Sequence, residues 1–522
     1  MSPTDKMVKS TGVVSSATLL SRIFGLVREQ VFAYLFGAGL YTDAFVAAFR
    51  IPNLLRDLFA EGVMATAFVP VFIDSLTNQG KEEAFHLANL VINALLVILS
   101  IVILLGIIFS PALVRLITPG FDKIPGKIEL TTLLAQIMFP FLLLVSVAAV
   151  CMGMLNSFGH FSTPALAPTM FNLGTILAGF LICPFFDPPI IGMAIGTLLG
   201  GMGQLFIQLP ALRRRGFHYK PVFNLHHPGV KKILILMTPA IFGVASTQIN
   251  IFISTNLASL LPEGSVSYLN YSYRLMYLPL GVFGVAVATV NLPLVSSLVA
   301  QKKMDEVRAT FASSLKLVLF LIIPSTIFLM TASQPIISVL YQHGKFTFFD
   351  TVATSKALLF YSLGLFGFAT MRVTAPVFYA LNEVKTPVMI SATAVVVNII
   401  LNFILMHPLG YNGLALATSI AGIVNCSLLL WKIDKKIGPL DKKDIGRNTF
   451  KILLASLIMG GAVFLIQFLF PLDLQRAALI HKTFLLIMAL LIGFFSYAGV
   501  CHLLKVEEMK KVLEILKGFK GR

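Results

Sequence analysis

Apolar runs of about 20 residues or more recur along the whole of this 522-residue chain, each long enough to cross a ~30 Å hydrocarbon core as a helix. In lipid, every backbone N–H and C=O must be satisfied within the protein, so only helices and closed barrels span. The ten-residue alternation of a barrel strand is missing from the sequence. The chain therefore reads as an all-α polytopic membrane protein. Its composition agrees, with 57% hydrophobic and only 12% charged residues.

About fourteen transmembrane helices are expected, near 12–37, 41–73, 85–110, 130–157, 163–184, 189–211, 231–260, 266–298, 310–331, 352–381, 386–407, 411–432, 450–471 and 482–504. The apolar stretch after Lys9 contains Arg22 and lacks a small-residue cleavage site at signal-peptide distance, so it is read as part of the fold. The net charge of +17 does not point to nucleic acid, because its placement follows the membrane. Arg213, Arg214, Arg215, Lys220, Lys231 and Lys232 share one loop; Lys302, Lys303 and Arg308 another; Lys432, Lys435, Lys436, Lys442, Lys443 and Arg447 a third. Alternating the loops puts all three on one side, with both termini, and the positive-inside bias makes that side cytoplasmic. The opposite loops "GAGLYT", "LPEGS" and "HPLGYNG" carry no lysine or arginine. One outer loop, with Arg115, Lys123 and Lys127, runs against the bias.

The last stretch, "KVEEMKKVLEILKGFKGR", sets Val506, Met509, Val512, Leu513 and Leu516 on one helical face. It is expected to lie on the anionic inner leaflet as an amphipathic cytoplasmic tail, with membrane lipids as partners. The four cysteines lie in apolar runs without CxxC spacing and read as buried small hydrophobes. No metal-ligand spacing or nucleotide loop occurs in the sequence, no cofactor is expected, and no extramembrane segment is long enough for a soluble catalytic domain.

A weak internal repeat is present. A shift of 224 residues superposes Arg50 on Arg274, Phe59 on Phe283, Pro111 on Pro335, Leu116 on Leu340 and Gly120 on Gly344. The shift of six spans keeps orientation and predicts two pseudo-symmetric six-helix lobes around a central cavity, plus two C-terminal helices. The expected division is an N-terminal lobe at 1–220, a C-terminal lobe at 221–445, and the extra spans with the tail at 446–522.

The first two spans are unusually charged. Residues 21–62 hold Arg22, Arg28, Arg50 and Arg56 beside Glu29, Asp43, Asp57 and Glu61. Four arginines facing lipid at depth would cost on the order of 10 kcal/mol, so they face a wet cavity, an interface or a partner. Each pair is six residues apart, about 120° out of alignment on a straight helix; Gly25 and Pro52 lie between them as candidate bends. Arg274 precedes Pro279 and has no acid in its own span, and Arg372 lies in the tenth span. Two readings stand side by side: a cationic cavity for an anionic substrate, and arginine–carboxylate pairs that fix helix packing.

The segments "SRIFGLVREQ", "GAGLYTDAFVAAFRIPNLLRDLFAEG", "AFVPVF", "LNSFGHFSTPALAP" and "YSYRLMYLPLGVFGVAVAT" resemble the MurJ (MviN) lipid II flippases of the multidrug/oligosaccharidyl-lipid/polysaccharide exporter superfamily. The resemblance covers almost the whole chain. It implies a transporter, not an enzyme, in the bacterial cytoplasmic (inner) membrane. The implied cargo is lipid II, undecaprenyl-diphosphate disaccharide-pentapeptide, moved from inner to outer leaflet by alternating access, with other cell-wall synthesis proteins as partners. Arg22, Arg28, Arg56 and Arg274 match the family's cavity arginines and Asp43 an acid of the same motif; Arg50 and Glu29, the latter where relatives often carry Asp, complete the substrate-binding candidates. Asn398, Asn402, Leu414 and Thr418 match a sodium pattern, with Asn402 replacing an acid. Polar helix packing is the alternative for these residues, and a proton or the membrane potential the alternative drive. The rivals to this reading are a drug/cation antiporter or other exporter of the superfamily, which would favour acidic cavity residues, and a membrane-embedded glycosyltransferase, which would need an outer catalytic acid.

Overall fold

A computed structural model describes residues 3–57, 62–510 and 514; the side chains of 3–13, 15, 62–66 and 239–247 are not described. Glu61 and Phe59, and Val512, Leu513 and Leu516 of the tail, lie outside the described residues. Every described element is helical, and no strand occurs among them.

The chain divides into two compact units, Met1–Ser267 and Tyr268–Arg522. The first contains α1 (Pro3–Phe36), α2 (Leu40–Arg56), α3 (Gly62–Asn78), α4 (Lys81–Ile117), α5 (Lys127–Met138), α6 (Phe141–Ser157), α7 (Ser162–Leu181), α8 (Ile190–Phe206), α9 (Leu209–Arg213) and α10 (Pro228–Ser259). From Ser265 onward follow α11 (Ser265–Pro279), α12 (Val285–Ala300), α13 (Met304–Thr331), α14 (Ser333–Tyr341), α15 (Phe348–Ser362), α16 (Leu365–Ala380), α17 (Lys385–Leu409), α18 (Tyr411–Ile437), α19 (Lys442–Leu469) and α20 (Leu479–Leu503). A helix or a pair of consecutive helices stands at each expected span. Counted over the described residues, ten helical segments are long and apolar enough to cross a membrane, and eleven if the pair α15–α16, bent by 43°, is one span. The protein is a multi-pass helical membrane protein.

Element order repeats at the offset seen in the sequence. α2, α4 and α5–α6 are followed about 224 residues later by α11, α13–α14 and α15–α16. Within the first unit α7 packs along α8 and α1, and α10 along α3; within the second, α17 packs along α18, and α19 joins α13 to α20. The α7–α8 contact depends on glycine. A Cβ added to Gly174 would sit 2.7 Å from the Gly200 Cα, and one on Gly200 would sit 2.6 Å from the Phe171 carbonyl oxygen. Small residues give such helices their close approach where no hydrophobic force drives them together.

The start of the tail differs from the sequence expectation. Val506 is fully buried and Met509 nearly so. The chain turns back at Lys505, which has φ of 54°. Asn448 on α19 donates to Glu508 at 2.6 Å, and Lys316 on α13 donates to Glu507 at 2.9 Å and to Asp444. Two acids thus tie the segment to α13 and α19, so its apolar side chains face protein rather than a leaflet.

Candidate functional site

The charged pattern of residues 21–62 resolves into contacts inside the first unit. α1 is one continuous helix through Gly25. Gly25 faces α7, where a Cβ would make ordinary contact with Asn172 at 3.6 Å. Asn172 in turn donates to the Ser21 carbonyl at 3.1 Å. Gly25 is therefore a packing position and not a bend. On the same α1–α7 seam, Arg28 lies 5.4 Å from the centroid of the Phe171 ring and pairs with the neighbouring Glu29 at 2.7 Å. Glu29 is buried at 7% exposure, so its charge needs that partner. Arg22 is half-buried one residue beyond the Asn172 contact.

The second arginine pair faces α10. Pro52 lies inside α2 and the helix continues to Arg56. Arg56 places Nε 3.2 Å and a terminal nitrogen 3.0 Å from one oxygen of Asp57, whose other oxygen accepts from Gln248 on α10 at 2.8 Å. Arg50 borders a small cavity of about 20 Å³ whose lining includes Asn53, Gln248 and Thr255. Gln248 was not singled out by the sequence reading. Its signal was available, since "STQINIF" sets a glutamine inside an apolar span.

Asp43 belongs to neither pair. It is 1% exposed, and Lys127, also 1% exposed, donates to Oδ2 at 2.9 Å. The Gly264 N–H reaches the same oxygen at 2.9 Å, and Ser267 gives its N–H, at 2.9 Å, and its hydroxyl to Oδ1. Nearby, the Leu40 N–H, at the first turn of α2, donates to Glu263 at 2.7 Å. With four donors on two oxygens, the Asp43 carboxylate has its acceptor capacity filled by protein. Lys127, which the sequence reading expected in an outer loop against the charge bias, opens α5 and is an internal counter-ion. Lys127 also lies 4.2 Å from the centroid of the Phe121 ring.

In the second unit Arg274 is an exposed side chain on α11, and Pro279 ends that helix in a π-helical turn, Leu280–Gly284, before α12. Arg372 is exposed on α16. Asn398 and Asn402 are deeply buried and Thr418 half-buried: the Asn402 amide donates to Asn398 at 2.8 Å, Asn398 to Thr418 at 3.4 Å, and Thr418 to the Leu414 carbonyl at 2.9 Å. Asn402 Oδ1 is buried without a hydrogen-bond partner. The set offers neutral oxygens only, and no cluster of three His, Cys, Asp or Glu side chains suited to a metal exists among the described residues. No carboxylate stands among these four residues, and their hydrogen bonds are those of polar helix packing.

An all-helical membrane protein whose element order repeats, and whose first two helices carry arginines, has the architecture of transporters built from repeated halves. The profile of the family described as "Lipid II flippase MurJ" matches residues 32–482. The protein named "Probable lipid II flippase MurJ" from Vibrio cholerae serotype O1 is 37% identical over 523 residues, covering 98% of each chain. A solved structure described as "Lipid II flippase MurJ, inward closed conformation" superposes with a TM-score of 0.80 at 31% identity, covering 94% of this chain and 98% of that one. An inward-facing multidrug resistance MATE family transporter of the MOP superfamily shares the fold at 15% identity, with a TM-score of 0.69 over 81% of this chain and 97% of its own. The chain belongs to the MurJ family.

Proposed function

We infer that this protein is a lipid II flippase, carrying the undecaprenyl-diphosphate-linked disaccharide pentapeptide from the inner to the outer leaflet of the bacterial cytoplasmic membrane. The observation that carries the reading is family membership along nearly the whole chain, joined to the half-buried arginines of α1 and α2. It acts as a transporter, and its chemistry is recognition rather than bond making.

A diphosphate is a compact polyanion, and the planar guanidinium fork binds phosphate oxygens in pairs. Arg28 and Arg56 are each held by a neighbouring acid at the edge of the fork, with five donors per guanidinium to share between acid and substrate. Arg22, Arg50 and Arg274 supply further cationic contacts. Several moderate contacts suit transport better than one tight clamp, because the substrate must leave as readily as it enters. Alternating access then requires that the substrate bind the two states with different affinity. Both termini and the lysine-rich loops face the cytoplasm in this reading. The membrane potential acting on cavity charge drives the cycle, worth about 2.3 kcal/mol per elementary charge per 100 mV.

The test is leaflet access of the lipid-linked wall precursor in cells depleted of their own flippase, probed with an added enzyme that cleaves only outward-facing precursor. This protein restores cleavage, and Arg274→Ala inserts in the membrane but does not restore it. Precursor that stays protected although the wild-type protein is folded in the membrane overturns the substrate and moves the drug-exporter reading ahead. A fully active Arg274→Ala overturns the cationic site.

A further inference from the structure

α11 carries its polarity on its open side. Its first residues, Ser265 to Leu269, are all buried, and Tyr271, Ser272, Leu275 and Met276 continue the buried face. The open stripe is Asn270, Tyr273, Arg274, Tyr277 and Leu278, with Arg274 and Leu278 exposed and the other three half-buried. Spacings of three and four residues keep these five on one side of the helix. The segment Ser265–Ala300 is long and apolar enough to cross a membrane, and Arg274 is its tenth residue. Beyond Pro279 the exposed side chains turn apolar, as at Val282, Val285, Val290 and Leu294. An amide, a guanidinium and two phenols are costly against hydrocarbon, so the α11 stripe faces water or a ligand, whereas the later residues suit lipid.

The two rings of the stripe are set against each other. Tyr273 and Tyr277 have centroids 4.6 Å apart at an interplanar angle of 42°. Tyr361 on α15, 7% exposed, meets the Tyr273 ring edge-on at 5.6 Å and 68°. A buried ring thus anchors the half-buried pair, and the pair is ordered before any ligand arrives. Tyr273 adjoins Arg274, and Tyr277 follows it by three residues, which places their Cβ atoms about 5–6 Å apart. A sugar offers C–H faces that stack on aromatic rings and hydroxyl edges that pair with amides and phenols. In a glycosyl diphosphate that sugar is joined directly to the anion that a guanidinium binds.

We propose that Tyr273 and Tyr277 form a stacking platform for the sugar joined to the cargo's diphosphate, with Asn270 one turn earlier for a hydroxyl or amide of that sugar. The platform rests on the lipid II reading and sharpens it. Arg274 sets where the diphosphate lies, and the tyrosines make the site prefer a glycosyl diphosphate to the same prenyl diphosphate without its sugar. Loaded and empty carrier lipid share the anion and the tail, so only contacts to the sugar can tell them apart.

The experiment titrates the full chain in detergent with two probes of equal charge, farnesyl-diphosphoryl-N-acetylglucosamine and farnesyl methyl diphosphate. Saturable binding of both is expected, with the sugar-bearing probe about tenfold tighter, the worth of one stacked ring. Tyr277→Leu, which keeps apolar bulk and removes the ring, brings the ratio of the two affinities close to one, and Tyr277→Phe keeps it near tenfold. Thermal unfolding shows whether each variant keeps the fold, and the ratio in wild type is read without any variant. Arg274→Ala lowers both affinities together, because it acts on the group that the probes share. Equal binding of the two probes by wild type, or a tenfold ratio kept in a folded Tyr277→Leu, overturns the platform and leaves the diphosphate site standing. Failure of both probes to bind the folded wild type overturns the lipid II reading, and the platform with it.

Discussion

Lys127 holds Asp43 at 2.9 Å across 84 residues of sequence, and both side chains are 1% exposed. In that setting neither charge is tolerable without the other. The same carboxylate also collects Gly264 and Ser267, so one acid ties the start of α2 to α5 and to the close of the first unit.

Lys127→Met leaves a buried carboxylate without its cation and is expected to destabilise the protein by about 3–5 kcal/mol. Asp43→Asn combined with Lys127→Met recovers part of that loss, since the amide keeps an acceptor for the Ser267 donors. Equilibrium unfolding of the purified variants in detergent checks both; a single Lys127→Met as stable as wild type sinks the account of this pair.

Gly200→Leu forces α7 and α8 apart where a Cβ on Gly200 would already sit 2.6 Å from the Phe171 carbonyl oxygen. A cost of about 3 kcal/mol is expected, the upper part of the usual range for overpacking. Because Phe171, the ring beneath Arg28, lies at that same contact, precursor exposure on the outer leaflet falls as well. A variant unchanged in both unfolding and precursor exposure would contradict the close packing.

Arg28→Lys keeps the charge but loses the planar fork that serves Glu29 and the substrate together. The expected outcome is normal expression and thermal stability with an initial rate of precursor exposure about tenfold lower. A wild-type rate would show that charge alone suffices.

Replacing sodium by potassium at constant potential leaves the rate unchanged within about twofold, because the Asn398, Asn402 and Thr418 side chains are engaged with one another and with the Leu414 carbonyl as helix-packing contacts. Collapsing the membrane potential lowers it. A rate that tracks sodium at fixed potential would return the ion to the mechanism.

Glu383, in the loop before α17, is held below its ordinary value of 4.5, chiefly by its hydrogen bond to Lys436 at 2.6 Å and then by the Thr386 hydroxyl. A depressed folded-state pKa contributes stability above the unfolded value and loses it as pH falls through the folded one. The unfolding curves of wild type and Lys436→Gln therefore differ at pH 7 and converge as the pH drops below 4.5 toward acid. A difference that persists unchanged at low pH would rule out the pair. Its exposure keeps the effect small.

The sequence by itself determined the membrane class, the places of the spans and the repeat of element order. Those depend on local transfer free energy, which any 20-residue apolar window reports without knowledge of its neighbours. It also singled out the arginines of α1 and α2, because a charge in an apolar run is anomalous wherever the run packs. It left open which arginine meets which acid. Arg28–Glu29 and Arg56–Asp57 are neighbours in the chain, but Asp43 passes over the nearby arginines for a lysine on α5. Only the tertiary structure decided that choice, and it equally decided that Gly25 is a contact surface for α7 and that Val506 and Met509 are core. A buried charge takes the partner that the packed helices bring within hydrogen-bond distance, and separations of 84 or 224 residues, as from Asp43 to Lys127 and to Ser267, become contacts only once the chain has folded.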